Sequence, residues 1–126
     1  MDLLQEIEQL YKQLELTIST ARKYDLEYAE RERAYRVELS KRLVELRAQG
    51  QAVTHLADIA RGERKIADLR YNRDIAEGMR NSARETINYL KLKLRCLDAQ
   101  LQREWGNIKW VVNAANGVNL IKKHVH

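Results

Sequence analysis

The sequence predicts an all-α protein: a long antiparallel helical hairpin, coiled-coil-like, with a short connecting helix and a third, C-terminal helix packing at the base. Three observations predict it. The 126 residues include no proline and only five glycines, so breakers are few. Charged residues make up 33% of the chain, in the Ala-, Glu-, Lys-, Leu- and Arg-rich mix typical of long helices and coiled coils. Apolar residues recur with a coiled-coil period over two long stretches, separated by a glycine-flanked connector. The length fits one domain, 1–126.

The first helix is expected over 1–49. Its stripe is Leu3, Ile7, Leu10, Leu14, Thr17, Ala21, Tyr24, Tyr28, Arg31 and Tyr35, in steps of four and three. It continues through Leu39, Leu43 and Leu46, where a 4-4 step shifts the phase. Its outer face offers Glu8/Lys12, Glu27/Arg31, Glu32/Arg36 and Glu38/Arg42, each acid-before-base at i, i+4, the favourable orientation. Gly50 ends this helix. The connector, 50–62, holds a short helix from His55 to Arg61, with Thr54 as its N-cap and Gly62 behind it. His55 then reads as a solvated helix-start residue rather than a metal ligand.

The second long helix is expected over 63–105. Its stripe is Ile66, Leu69, Arg73, Ala76, Arg80, Ala83, Ile87, Leu90, Leu94, Leu97, Leu101 and Trp105, with Ile75 and Met79 widening the face. Gly106 and Asn107 break the pattern. A third helix follows over 107–123, with Ile108, Val111, Val112, Ala115, Val118 and Ile121 on one face. His124 and His126 are two apart, the wrong spacing for a shared metal on a helix.

A short connector makes the two long helices antiparallel neighbours. With Leu46 opposite Ile66, Tyr28 faces Arg84 and Leu14 faces Asp98. Near the N-terminus, Leu3, Leu4, Ile7, Leu10, Tyr11, Leu14, Ile18 and Ala21 form a face broader than a two-helix seam needs. The third helix is expected to fold back over it. A two-helix hairpin buries little surface, so hairpins are expected to pair as homo-oligomers, dimers or higher.

The seam is polar in its middle: either Arg side chains snorkel and Tyr hydroxyls reach water, or the region is a polar interface or register device. Arg31, Glu32, Glu77 and Arg80 are placed to form a salt-bridge cluster. The single cysteine, Cys96, excludes an intrachain disulfide and reads as a half-buried residue between seam leucines. No apolar stretch approaches the ~18 residues of a membrane span, and the acidic N-terminus does not read as a signal peptide. The expected setting is cytoplasmic, away from membranes.

The net charge is +5, unevenly spread. Residues 1–30 carry three basic and seven acidic groups, net −4; residues 85–126 carry seven basic and three acidic, net +4. Those segments neutralise each other in the hairpin. Residues 31–84 carry thirteen basic and eight acidic groups, net +5, and eleven of the thirteen are arginine. Arginine suits carboxylate, phosphate and aromatic contacts. The candidate partner-binding residues are Tyr28, Arg33, Tyr35, Arg36, Lys41, Arg47, Arg61, Arg64 and Arg70, with Lys65 among the exposed bases. The surplus suits an anionic partner, nucleic acid or an acidic protein face, or else only a solvated surface; interleaved acids repel phosphate, so a protein-interaction module is the first reading and nucleic-acid binding the second.

No glycine-rich phosphate loop, Cys/His metal spacing or nucleophile motif is present. Carboxylate pairs such as Glu27/Glu30 lie on a solvated helix with no pocket to raise a pKa. The expectation is therefore a non-enzymatic protein, with no catalytic or metal residues, no cofactor and no small-molecule substrate.

One resemblance is carried by Val53-Thr54-His55-Leu56-Ala57-Asp58-Ile59-Ala60-Arg61-Gly62. It extends to Ile66-Ala67-Asp68-Leu69-Arg70-Tyr71-Asn72-Arg73-Asp74-Ile75-Ala76-Glu77 and to the Leu97 to Trp105 end. These runs resemble small helical proteins of unassigned function from bacteriophages and prophages of Gram-positive bacteria, over roughly residues 1–105. The resemblance implies an accessory viral protein acting inside a bacterial host, on a host or phage protein. It assigns no site residues.

Overall fold

The structure is a computed structural model that describes the backbone of residues 2–115 and the side chains of residues 2–106. All of its elements are helical: α1 (Leu3–Ala48), a 3-10 turn (Val53–His55), α2 (Leu56–Gly62) and α3 (Arg64–Ala115). No strand occurs among the described residues. The chain divides into two compact units. One is Leu16–Ile87; the other draws on Met1–Glu15 and Asn88–His126, and both long helices contribute to each.

In the second of these, α1 starts on a capping box. The Gln5 N–H donates to Asp2 Oδ1 at 2.8 Å, and the Asp2 N–H donates to Gln5 Oε1 at 3.3 Å. Two orphan amides of the first turn are thereby satisfied. Ile7, Leu10, Leu90 and Leu94 form its buried cluster, with Leu3, Leu14, Leu97 and Leu101 packed against it. Leu4, Tyr11 and Trp105 are exposed, so Trp105 leaves the seam that the other leucines keep. Cys96 is exposed too, not half-buried: it faces away from the leucines on either side of it. The break expected at Gly106 does not occur. Gly106 has no helix-breaking φ, and α3 runs on to Ala115. Helix formers on both sides carry a lone glycine at a cost of about 1 kcal/mol. A separate third helix therefore does not start at residue 107; the rest of that expected helix, with His124 and His126, lies outside the described residues.

In the unit Leu16–Ile87, α1 closes in a Schellman motif. Gly50 has φ +87°, its N–H donates to the Arg47 carbonyl at 3.1 Å, and the Gln51 N–H donates to the Leu46 carbonyl at 3.2 Å. A left-handed residue at this position satisfies carbonyls the helix leaves open, and glycine adopts it without a Cβ penalty. Thr54 is not the N-cap of α2. It lies inside the 3-10 turn, which opens at Ala52 and hands over to α2 at His55, with no side-chain cap bond at either. His55 is exposed, as expected of a solvated residue. Glu63 takes an extended ψ of 139° and turns the chain into α3.

The packing here is antiparallel, because partners rise along α1 as they fall along α3: Asp25 with Arg80, Glu32 with Arg73, Glu38 with Lys65. The register sits about one helical turn from expectation, so Tyr28 meets Arg80 rather than Arg84. Tyr35, Leu39, Leu46, Leu56, Ala60 and Ile66 form the buried cluster, with Leu43 and Leu69 against it. This cluster ties the connector helix α2 to both long helices, through Leu56 and Ala60.

Candidate interaction surface

The polar middle of the seam is assembled from cation–π and ionic contacts rather than left to water. Arg73 lies over the Tyr35 ring at 4.7 Å and donates to Glu32 Oε2 at 3.3 Å and to Asp74 Oδ1 at 2.8 Å. Arg80 lies over the Tyr28 ring at 4.9 Å and donates to Asp25 Oδ1 at 2.7 Å, with Arg84 also near that carboxylate at 3.6 Å. A tyrosine on α1 and an arginine on α3 thus repeat seven residues apart. The contacts favour the register in which each guanidinium meets both a ring and a carboxylate. The expected cluster of Arg31, Glu32, Glu77 and Arg80 is different in detail. Arg31 is exposed and pairs with Glu27, Glu77 is exposed, and Arg73 takes the place beside Glu32.

The acids of this unit are largely engaged. Glu32 is held below the ordinary carboxylate range, first by the hydrogen bond from Arg36 at 2.6 Å and then by the charge of Arg73. Glu38 does not pair with Arg42 as its i, i+4 spacing predicts. It takes Lys41 at 3.7 Å and Lys65 of α3 at 3.1 Å, and Lys65 is the main cause of its lowered pKa. Arg42 instead bridges Glu63 at 2.6 Å and Glu45 at 3.0 Å, which raises the guanidinium pKa further and lowers that of Glu63. A cross-helix carboxylate outcompetes the same-helix one because the turn at Glu63 delivers it to Arg42. The pairs Glu8/Lys12, Glu27/Arg31 and Glu32/Arg36 form as their spacing predicts. Among the described residues no buried side-chain nitrogen or oxygen lacks a partner, and no three His, Cys, Asp or Glu side chains gather as a metal site.

The nine candidate partner-binding residues separate into three groups. Tyr35 is only 4% exposed and Tyr28 is half-buried, so both rings hold the helices together; Tyr35 is removed from the surface set for that reason. Arg36, Lys41 and Arg64 are exposed but paired with Glu32, Glu38 and Asp68. Arg33, Arg47, Arg61 and Arg70 are exposed and have no ion pair among the described residues.

Two hollows lie near the connector. One, of about 180 Å³, is lined by Glu38, Arg42, Glu63 and Lys65 among others, charges that already neutralise each other. The other, of about 290 Å³, is lined by Leu43, Val44, Arg47, Val53, Leu56 and Ala57. Val44 and Val53 are each 70% exposed. This apolar hollow is not foreseen in the sequence, where Val44 lies off the seam stripe of α1 and Val53 falls in the connector. No helix among the described residues is long and apolar enough to cross a membrane. Comparison with protein-family models, with curated proteins and with solved structures returns no match.

Proposed function

We propose that the chain is a non-enzymatic helical interaction module that receives an acidic protein partner on the surface of residues 31–84. The observation that carries the reading is the contrast within one unit. Its carboxylates, Glu30, Asp58, Glu77 and Glu85 apart, are drawn into ion pairs within the unit, while Arg33, Arg47, Arg61 and Arg70 remain exposed and unpaired. Unpaired arginines supply forked donors for carboxylates without first breaking a bond of their own. Exposed Leu26 and Val37 on α1 add apolar surface, which suits pairing of hairpins into a homo-oligomer. The resemblance to phage and prophage proteins implies a host or phage protein as the partner, in the cytoplasm of a bacterial host.

The test attaches the chain to a support through the exposed Cys96 and passes bacterial lysate over it. Parallel supports carry the parent and the variant with Arg33, Arg47, Arg61 and Arg70 all changed to Glu. The expected result is a discrete acidic protein, identified by mass spectrometry, retained by the parent and lost from the variant. Retention unchanged by the four substitutions overturns the reading. Oligonucleotide binding near physiological salt, falling steeply as salt rises, would instead support nucleic-acid binding through the same bases. Light scattering after size exclusion reads the oligomer, and a strict monomer contradicts that part.

A further inference from the structure

We infer that the apolar hollow between the end of α1 and the connector is an anchor site for an amphipathic acidic helix, which inserts an apolar side chain there and sets carboxylates on Arg47 and Arg61. The inference rests on the reading above and names the partner's chemistry. The floor is Leu56, which is buried, and Leu43, half-buried. The walls are Val44 and Val53, both largely exposed although apolar. At about 290 Å³ and open to solvent, the hollow lies at the small end of ligand-pocket volumes, too small to enclose a whole cofactor. It suits the anchor residue of a helix laid in a groove, a mode that needs apolar contacts one turn apart and a polar rim.

The rim supplies the sign of the charge. Arg47 lines the hollow, and Arg61 lies one turn along α2 from the lining residue Ala57, on the same face. Neither has an ion pair among the described residues; nearby Glu38, Glu45 and Glu63 are engaged elsewhere, and the exposed Asp58 beside Ala57 is the one unpaired acid close by, outside the residues that line the hollow. The second hollow of this unit provides the internal comparison: its lining charges are already matched, so it offers an occupant no charge to complement. A basic occupant would meet two unpaired arginines; an acidic one completes them.

The experiment uses the full chain and three labelled synthetic helices, read by fluorescence anisotropy. One has a leucine face and a glutamate face, one replaces glutamate by lysine, and one keeps glutamate but replaces leucine by serine. The first is expected to bind, with the other two weaker by about tenfold or more. Val44→Asp and Val53→Asp, at exposed positions that leave the circular dichroism unchanged, are expected to weaken binding of the first by about tenfold each. Arg47→Glu with Arg61→Glu is expected to do the same, and Arg33→Glu with Arg70→Glu to have little effect. If Val44→Asp and Val53→Asp bind like the parent while Arg33→Glu with Arg70→Glu abolishes binding, the hollow is overturned and the broader acidic-partner reading stands. If no acidic helix binds, both fall.

Discussion

Arg73 is the most exposed to test of the seam residues, because three contacts converge on a side chain only 16% accessible. Its guanidinium stacks at 4.7 Å on Tyr35, itself 4% exposed, so this cation–π contact is largely desolvated and falls in the upper part of the usual range, about 1–1.5 kcal/mol. The bond to Glu32, a quarter exposed, adds roughly 0.5–1 kcal/mol, as partly screened pairs do. Asp74 adds little to folding, since a sequence neighbour also stays close in the unfolded chain. Arg73→Met keeps the aliphatic stem and removes the guanidinium, so the expected loss is about 1.5–2.5 kcal/mol. Urea unfolding followed at 222 nm measures it. Double-mutant cycles with Tyr35→Leu and Glu32→Gln separate the two contributions. At 1 M salt, where the Debye length is about 3 Å, the Glu32 coupling disappears and the Tyr35 coupling persists. Acid has the same effect on Glu32. Its folded-state pKa is depressed below 4.5, so its stabilisation is present above that value and is lost as pH falls through the lowered one. Loss of less than about 0.5 kcal/mol in Arg73→Met, the scatter of ordinary surface changes, refutes the account. So does a vanishing coupling to Tyr35.

Three further outcomes are expected. Leu46→Ala, at a position 3% exposed in the cluster that binds the connector, destabilises by about 2–4 kcal/mol in the same urea assay, whereas Val44→Ala stays within about 0.5. Gly50→Ala meets no atom within 4 Å but must hold φ near +87°, so it costs about 1–2 kcal/mol through backbone strain alone, seen as a lower urea midpoint. Arg42→Gln returns the Glu63 carboxyl toward its ordinary range, which NMR titration of the side-chain carbonyl reads as an upward shift. No movement there would mean that Arg42 is not the cause.

Much of the architecture is legible in the sequence. The seam steps of three and four residues identify the buried face of both long helices. Every stripe position of α1 except Arg31, and every one of α3 except Trp105, is buried or half-buried. Gly50 marks the end of α1 because only a left-handed residue closes that motif without strain. Local periodicity and turn chemistry suffice for these features, since each depends on neighbours within a turn or two.

What the tertiary structure alone decides are the choices among partners that local rules leave equal. Arg42 has acids at both helical spacings, Glu38 and Glu45, and takes Glu45 together with a cross-helix acid that only the turn at Glu63 delivers. The register places Tyr28 on Arg80 rather than Arg84, a difference of one turn that leaves the heptad pattern unchanged. Gly106 is a break by propensity and a helical residue in context. The fold likewise decides which arginines are free. Composition gives residues 31–84 their net positive charge, but pairing removes Arg36, Lys41 and Arg64 and leaves Arg33, Arg47, Arg61 and Arg70. The apolar hollow beside Arg47 exists only because the connector returns Val53 and Leu56 to the end of α1, a contact that no sequence period encodes.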